Sequence, residues 1–344
     1  MKPLENCRVL VTGGAGFIGS AMVWELNRRG CEQIVITDVR GPEEKGRNLA
    51  PLRFQEYLEA DDLLPLLQTG ALGKFDLVLH LGACSSTTEM DVDFLRRNNF
   101  EYTRDLAAWS LAQNVRFVYA SSAATYGDGS AGMSDTEENL GRFHPLNPYG
   151  NSKHIFDLHA HERGWLAHIV GLKYFNVFGP NENHKGEMRS LVNKSYAQVM
   201  QTGAIRLFKS CRPDYGDGEQ KRDFLYVKDA VAMTMHLAMN PTASGLFNLG
   251  SGEAPTWNEL ASAIFKALGR ETRIDYIEMP AILREKYQYF TRADITKLRA
   301  SGFTNKLTPL TDAVRDYVVN YLAPDRHLGE QPSADRPGVH SDSH

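Results

Sequence analysis

Four cysteines in 344 residues are too few for a disulfide scaffold. Cys7, Cys31, Cys84 and Cys211 are scattered, with no Cys-x-x-Cys, so neither a zinc site nor a disulfide framework is expected, and no metal is assigned. No run reaches 18 apolar residues, which removes a membrane-spanning helix. The start, Met1-Lys-Pro-Leu-Glu-Asn-Cys7, lacks the apolar stretch of a signal peptide. A cytoplasmic protein without a membrane partner is therefore expected. Positive charge is not in excess either: Lys and Arg number 38 against 42 Asp and Glu, a net −4, with no basic block. Capture of nucleic acid by its phosphates is thus not expected. What is present is ordinary globular composition, 42% apolar and 23% charged, in a chain long enough for one large or two ordinary domains.

Short apolar runs alternate with longer helical patterns in the first half. Arg8–Thr12, Gln33–Asp38, Phe75–Leu81, Val115–Ser121 and His168–Tyr174 read as strands. Their continuous β-branched and leucine content suits strands buried on both faces, with helical crossovers between them. The predicted fold is α/β: a Rossmann doubly wound parallel sheet with a second, smaller α+β substrate domain. The boundaries read as 1–180 for the dinucleotide-binding domain, with some later segments able to return to it, 181–322 for the substrate domain, and 323–344 for a polar, disordered tail. Thr308-Pro309 opens a last amphipathic helix running to about Leu322.

Between the first strand and the first helix stands Thr12-Gly-Gly-Ala-Gly-Phe-Ile-Gly19. Gly13, Gly16 and Gly19 fit one dinucleotide spacing, and Gly14, Gly16 and Gly19 fit another. Glycine is needed there for a tight turn, for close approach of a diphosphate, and for packing of helix on strand. The helix start then offers free N–H groups to the phosphates. Asp38 ends the second strand 19 residues after Gly19, where a ribose-binding carboxylate belongs. Arg40 and Lys45 follow in the same loop and could neutralise a 2′-phosphate, so these residues leave NAD and NADP both open.

Tyr149 and Lys153 lie four apart at the start of a predicted helix, on one face. A phenol with its usual pKa near 10 is a poor base at neutral pH; an adjacent ammonium favours the phenolate. Ser121-Ser122 ends the Val115 strand at its carboxyl end, where doubly wound sheets bind ligands. A serine there can hold an alcohol or forming ketone beside Tyr149. Several other residues read as structural: His80 as a core histidine, Met233, Met235 and Met239 as packing, and Asp61-Asp62 as a helix start.

With these motifs the chain resembles the extended short-chain dehydrogenase/reductase family, also described as NAD-dependent epimerases and dehydratases. The likeness runs over about residues 7–322. It is carried by Thr12–Gly19, Ser121–Gly127, Tyr149–Lys153, Tyr174–Pro180 and Arg222–Asp229. It implies Tyr149 as acid/base, Lys153 as its tuning cation and a holder of nicotinamide ribose, and Ser122 on the reacting oxygen. Ala123-Ala124 stands where the dehydratases carry an Asp-Glu pair, which argues against elimination of water. Gly82–Glu89, Asn183–Gly186 and Tyr287–Asp294 resemble the branch that inverts carbon 6 of ADP-linked heptoses, precursors of the lipopolysaccharide core.

That likeness implies transient oxidation on bound NAD(P) and a second acid/base group, Lys185. It implies that Phe17, Ile18, Leu81, Gly82, Ala83, Cys84, Ser85, Asn98 and Val177 touch the cofactor. It also implies NADP rather than NAD, through Lys45. Ser86, Asn176, Glu187, Lys194, Phe208, Arg222 and Tyr287 fall to the ADP-sugar, and a homo-oligomer, with a pentamer as one form, to the assembly. Val39, Glu187, Lys194 and the 211–220 loop depart from the branch's pattern. An epimerase or reductase of another nucleotide sugar, of UDP-hexose type, is the alternative. A non-catalytic dinucleotide-binding protein comes third.

Overall fold

The computed structural model describes residues 2–39, 41, 43–284 and 287–331. Arg40, one of the two cations expected beside a 2′-phosphate, lies outside them. Seven strands form one parallel sheet: β1 (Val9–Thr12), β2 (Ile34–Asp38), β3 (Glu56–Glu59), β4 (Leu77–His80), β5 (Arg116–Ser122), β6 (Val170–Tyr174) and, after three strands elsewhere, β10 (Gly245–Leu249). The spatial order is β10-β6-β5-β4-β1-β2-β3. The inner strands β1, β2, β4 and β6 are buried at every residue, as their unbroken apolar runs require.

The helices α1 (Phe17–Arg28), α2 (Glu43–Arg47), α3 (Ala60–Thr69), α4 (Val92–Leu95), α5 (Tyr102–Ala112) and α6 (Pro148–Glu162) connect these strands. A π-turn, Arg96–Glu101, joins α4 to α5. Asn147 caps α6 by accepting from the Gly150 N–H at 2.7 Å, and Pro148 opens the first turn. From β1 the chain builds outward to β2 and β3, then returns to place β4, β5 and β6 on the other side. The reversal opens a crevice at the carboxyl ends of β1 and β4, the position where such sheets bind ligands.

The smaller unit contains two parallel pairs, β7 (Asn176–Phe178) with β9 (Phe224–Tyr226) and β8 (Ile205–Phe208) with β11 (Ile274–Ile277). Around them pack α7 (Leu191–Thr202), α9 (Trp257–Ala267) and the helix Leu310–Tyr317. The boundary at 180 is not a clean cut. α8 (Val227–Met239) packs on β6, and β10 pairs with β6, so two later segments return to the large sheet.

The segment 323–331 is not a tail, and this corrects the boundary read at 323. Leu328 and His327 are buried. The Leu328 N–H donates to Asn181 Oδ1 at 2.9 Å, and His327 Nδ1 donates to Asn48 Oδ1 at 2.8 Å. Two side-chain amides and one core leucine, Leu328, anchor it, so it carries no apolar period. Residues 332–344 lie outside the described residues.

Candidate active site

The glycine turn meets the loop after β4 with no room for side chains. Gly13 has φ +67°, and a Cβ there would stand 2.6 Å from Gly82 Cα. A Cβ at Gly19 would overlap the Gly13 carbonyl oxygen. No side chain caps the start of α1 at Gly16, so the first-turn N–H groups of Phe17, Ile18 and Gly19 face the crevice as an anion-binding surface. A bare backbone cradle at a helix start fits a dinucleotide diphosphate.

Asp38 is buried at the end of β2. Its Oδ2 accepts from the Ala15 N–H at 2.9 Å, and its Oδ1 accepts from the Val39 N–H at 2.8 Å and from Lys45 Nζ at 2.5 Å. Lys45 also donates to the Val39 carbonyl at 3.0 Å. The two residues assigned to the adenosine ribose therefore stand together.

Leu81 to Ser86 leave the carboxyl end of β4 beside the glycine turn. The Gly82 N–H donates to Thr12 Oγ1 at 3.1 Å. Asn99, wholly buried on the π-turn, accepts from the Cys84 N–H and donates to the Cys84 carbonyl, both at 2.9 Å. Its amide also donates to Ser152 Oγ on α6 at 3.0 Å. Asn98, the residue assigned to the cofactor from sequence, is half-buried and donates to Asn99 Oδ1 at 2.9 Å. His80 is the core histidine expected: Nδ1 bonds Thr12 Oγ1 at 2.7 Å and Nε2 bonds Thr103 Oγ1 at 2.8 Å.

Ser122 ends β5, and its hydroxyl shares a hydrogen bond with Tyr149. Burial pushes the Tyr149 phenol up, and the Ser122 bond offsets this only in part. Lys153 is buried one turn further along α6 and is pushed down to about 8 by burial, against the pull of Asp157 and Cys84. Lys185 sits in a short turn, Asn183–Met188, ahead of α7. Its ammonium lies 5.3 Å over the Phe17 ring of the glycine turn. Burial lowers its pKa, with Glu182 opposing. Glu182, not anticipated from sequence, is itself buried and accepts from the Ser190 N–H at 2.5 Å and from Ser190 Oγ at 2.6 Å, closing the Lys185 turn.

On the substrate side Lys194 donates to the Glu187 carbonyl at 3.0 Å, so these two departures from the branch pattern are neighbours. Arg222 is buried with its guanidinium 5.1 Å over Tyr287 and 5.8 Å over Trp257; it donates to the Lys221 and Gln288 carbonyls. Phe208 meets Tyr287 edge to face at 6.5 Å. Asn176, exposed at the start of β7, and half-buried Val177 lie just beyond β6.

Residues 9–250 match the model of the NAD dependent epimerase/dehydratase family. The chain belongs to this family. Its cofactor is a nicotinamide dinucleotide. The chain is 52% identical over 321 residues to the ADP-L-glycero-D-manno-heptose-6-epimerase of Nitratidesulfovibrio vulgaris strain Hildenborough, covering 93% of this chain and 99% of that one. It is 43% identical to the enzyme of the same name from Fusobacterium nucleatum, with 92% and 98% covered. The crystal structure of the Helicobacter pylori enzyme of that name superposes with a TM-score of 0.76 at 27% identity, over 92% of this chain and 96% of that one. Within the family fold, Asn99 and Glu182 are among the polar residues that reading by motif misses; each lies in a short polar run, and burial there is decided by the backbone.

Proposed function

We propose that this protein inverts carbon 6 of the heptose in an ADP-glycero-manno-heptose, by transient oxidation and re-reduction on a bound dinucleotide, for lipopolysaccharide core synthesis. The observation that carries the reading is the end-to-end likeness to the Nitratidesulfovibrio enzyme; Ser122 beside Tyr149, Lys153 one turn along α6, and Lys185 over Phe17 of the glycine turn support it.

An oxidised nicotinamide, when bound, would supply the two-electron acceptor and the positive charge that the half-buried Tyr149 phenol needs to act as a base. Gly13 to Gly19 and Leu81 to Ser85 hold the diphosphate and the cofactor's length. Ser122 donates to the reacting oxygen at carbon 6 and keeps it against Tyr149. Tyr149 takes the proton from that oxygen as a ketone forms and returns it as the alcohol is restored. Lys153 keeps a positive charge one helical turn away. Lys185 serves the same oxygen when the intermediate presents its other face. Arg222, stacked on Tyr287, holds the ADP diphosphate, since a guanidinium fork pairs with phosphate oxygens. The cofactor reading is NADP, supported by Lys45 at the ribose end. A homo-oligomer in the cytoplasm completes the reading; exposed Met90, Val92, Phe94 and Ile155 support self-association.

The test is incubation with ADP-D-glycero-D-manno-heptose and no added cofactor, followed by NMR. The L-glycero epimer should accumulate to equilibrium. No conversion, with turnover of a UDP-hexose instead, overturns the substrate reading.

A further inference from the structure

Tyr149, Lys153 and Asp157 are spaced by four on α6, so they share one helix face. Asp157 has no place in the mechanism above, yet it is wholly buried directly behind the cleft. Its Oδ1 accepts from the Tyr119 hydroxyl at 2.7 Å. Its Oδ2 accepts from Ser121 Oγ and from Lys173 Nζ, both at 2.7 Å. Tyr119 and Ser121 belong to β5, and Ser121 is in register with Lys173 on β6. Lys173 is equally buried, also donates to Thr125 Oγ1 at 2.7 Å, and lies 4.9 Å over the Tyr126 ring. Thr125 donates in turn to the Ser122 carbonyl at 2.8 Å. One carboxylate thus ties α6 to β5 and β6, and its partner ammonium reaches the backbone of Ser122.

A buried ion pair is a poor source of stability, because desolvation of two charges consumes most of their attraction; well-packed apolar residues often do as well. Position and charge are what this pair supplies that apolar residues cannot. We propose that Asp157, held by Lys173, is a positioning residue for the Ser122–Tyr149–Lys153 set, fixing the α6–β5 distance and placing its carboxylate one turn from the Lys153 ammonium. The inference rests on the catalytic reading of Tyr149 and Lys153.

Burial drives the Lys153 proton off, and Asp157 is the largest influence that keeps it on. From other elements, Lys153 faces Cys84 of the loop after β4 and His80 of β4. Asp157 faces Tyr119 of β5, Tyr126 of the turn after it and Lys173 of β6, with His154 on its own helix.

The test compares the wild-type holoenzyme with a double variant, Asp157→Asn with Lys173→Met, and with Asp157→Glu. The double variant avoids leaving Lys173 buried without a counter-charge. The Lys153 side-chain NMR signal, assigned through Lys153→Met, is titrated without substrate. The midpoint near 8 should fall by about half a pH unit or more in the double variant, and stay near the wild-type value in Asp157→Glu, which keeps the charge. In turnover of ADP-heptose the alkaline limb should move the same way, with kcat down about tenfold and KM within about twofold. A Lys153 midpoint unchanged in the double variant overturns the proposal. A wild-type protein that does not epimerise ADP-heptose overturns the functional reading instead, while the titration still decides the role of Asp157.

Discussion

Lys45 Nζ lies 2.5 Å from Asp38 Oδ1, so the cation and the carboxylate proposed for the adenosine ribose hold one another. Asp38 alone would repel a 2′-phosphate and accept from free ribose hydroxyls. Lys45 cancels that charge and offers an ammonium at the same spot. Mass spectrometry of the cofactor released from purified protein should therefore give NADP. Lys45→Ala should leave Asp38 uncompensated and shift selectivity towards NAD by about tenfold to a hundredfold, the usual worth of one charge-assisted contact. Release of NAD alone from the wild-type protein contradicts the assignment.

Tyr149→Phe deletes one hydroxyl and leaves the ring in its half-buried slot. A general acid/base group contributes about 10²–10⁴ in rate, so turnover should fall by that factor while bound dinucleotide is retained. Because burial raises the phenol, the wild-type rate should rise with pH on its acid limb. Near-normal turnover in the Tyr149→Phe variant, measured by NMR of the heptose epimers, excludes Tyr149 as the proton carrier.

The residues that could be read from the chain are those whose function depends on local spacing. Gly13, Gly16 and Gly19 sit in one turn, and Tyr149 and Lys153 on one helix turn, so their chemistry is written in consecutive residues. Strands β1, β2, β4, β5 and β6 are marked by continuous apolar runs. β10 is not: Gly245-Leu-Phe-Asn-Leu249 is short and interrupted, and its buried Asn248 is satisfied by accepting from the Tyr126 hydroxyl at 2.6 Å and donating to the Met133 and Asp294 carbonyls. Edge strand β3, Glu56-Tyr-Leu-Glu59, is polar at both ends for the reason that an edge is half solvated. The Asp157–Lys173 pair joins residues 16 apart through the sheet, and charge in a core leaves no periodic signal. Residues 323–331 look like a tail for a related reason: Asn48 and Asn181 tie them down by hydrogen bonds and Leu328 is their one side chain in the apolar core, so no apolar period marks them.

Lys185→Met keeps the length of the side chain and its packing near Phe17 but removes the ammonium. If Lys185 serves the second face of the ketone, epimerisation should drop by about 10²-fold or more, with Tyr149 and the cofactor untouched. Nicotinamide absorbance separates the two halves: Lys185→Met should still oxidise the starting epimer, seen as transient reduction of the bound cofactor, and return it unchanged. Full epimerisation by this variant rejects Lys185 as an acid/base group.

His80 gives a stability prediction independent of substrate. Its pKa is pushed down to about 3, first by burial and then by the Lys153 charge. A histidine whose folded pKa is depressed stays neutral in the fold and protonates in the unfolded chain. The unfolded state then binds more protons below the unfolded value of 6.5, so stability is complete above that pH and is lost as pH falls through it. The loss should be about 1.4 kcal/mol per pH unit for each such group, continuing towards the folded pKa. His184, pushed down to about 4 by burial and by the Lys185 and Lys45 charges, adds to the same slope. Urea unfolding between about pH 7 and pH 5 measures it. His80→Gln, whose amide can still bridge Thr12 and Thr103, should flatten the slope by about one proton's worth relative to wild type. Parallel slopes for the two proteins show that His80 is not held neutral.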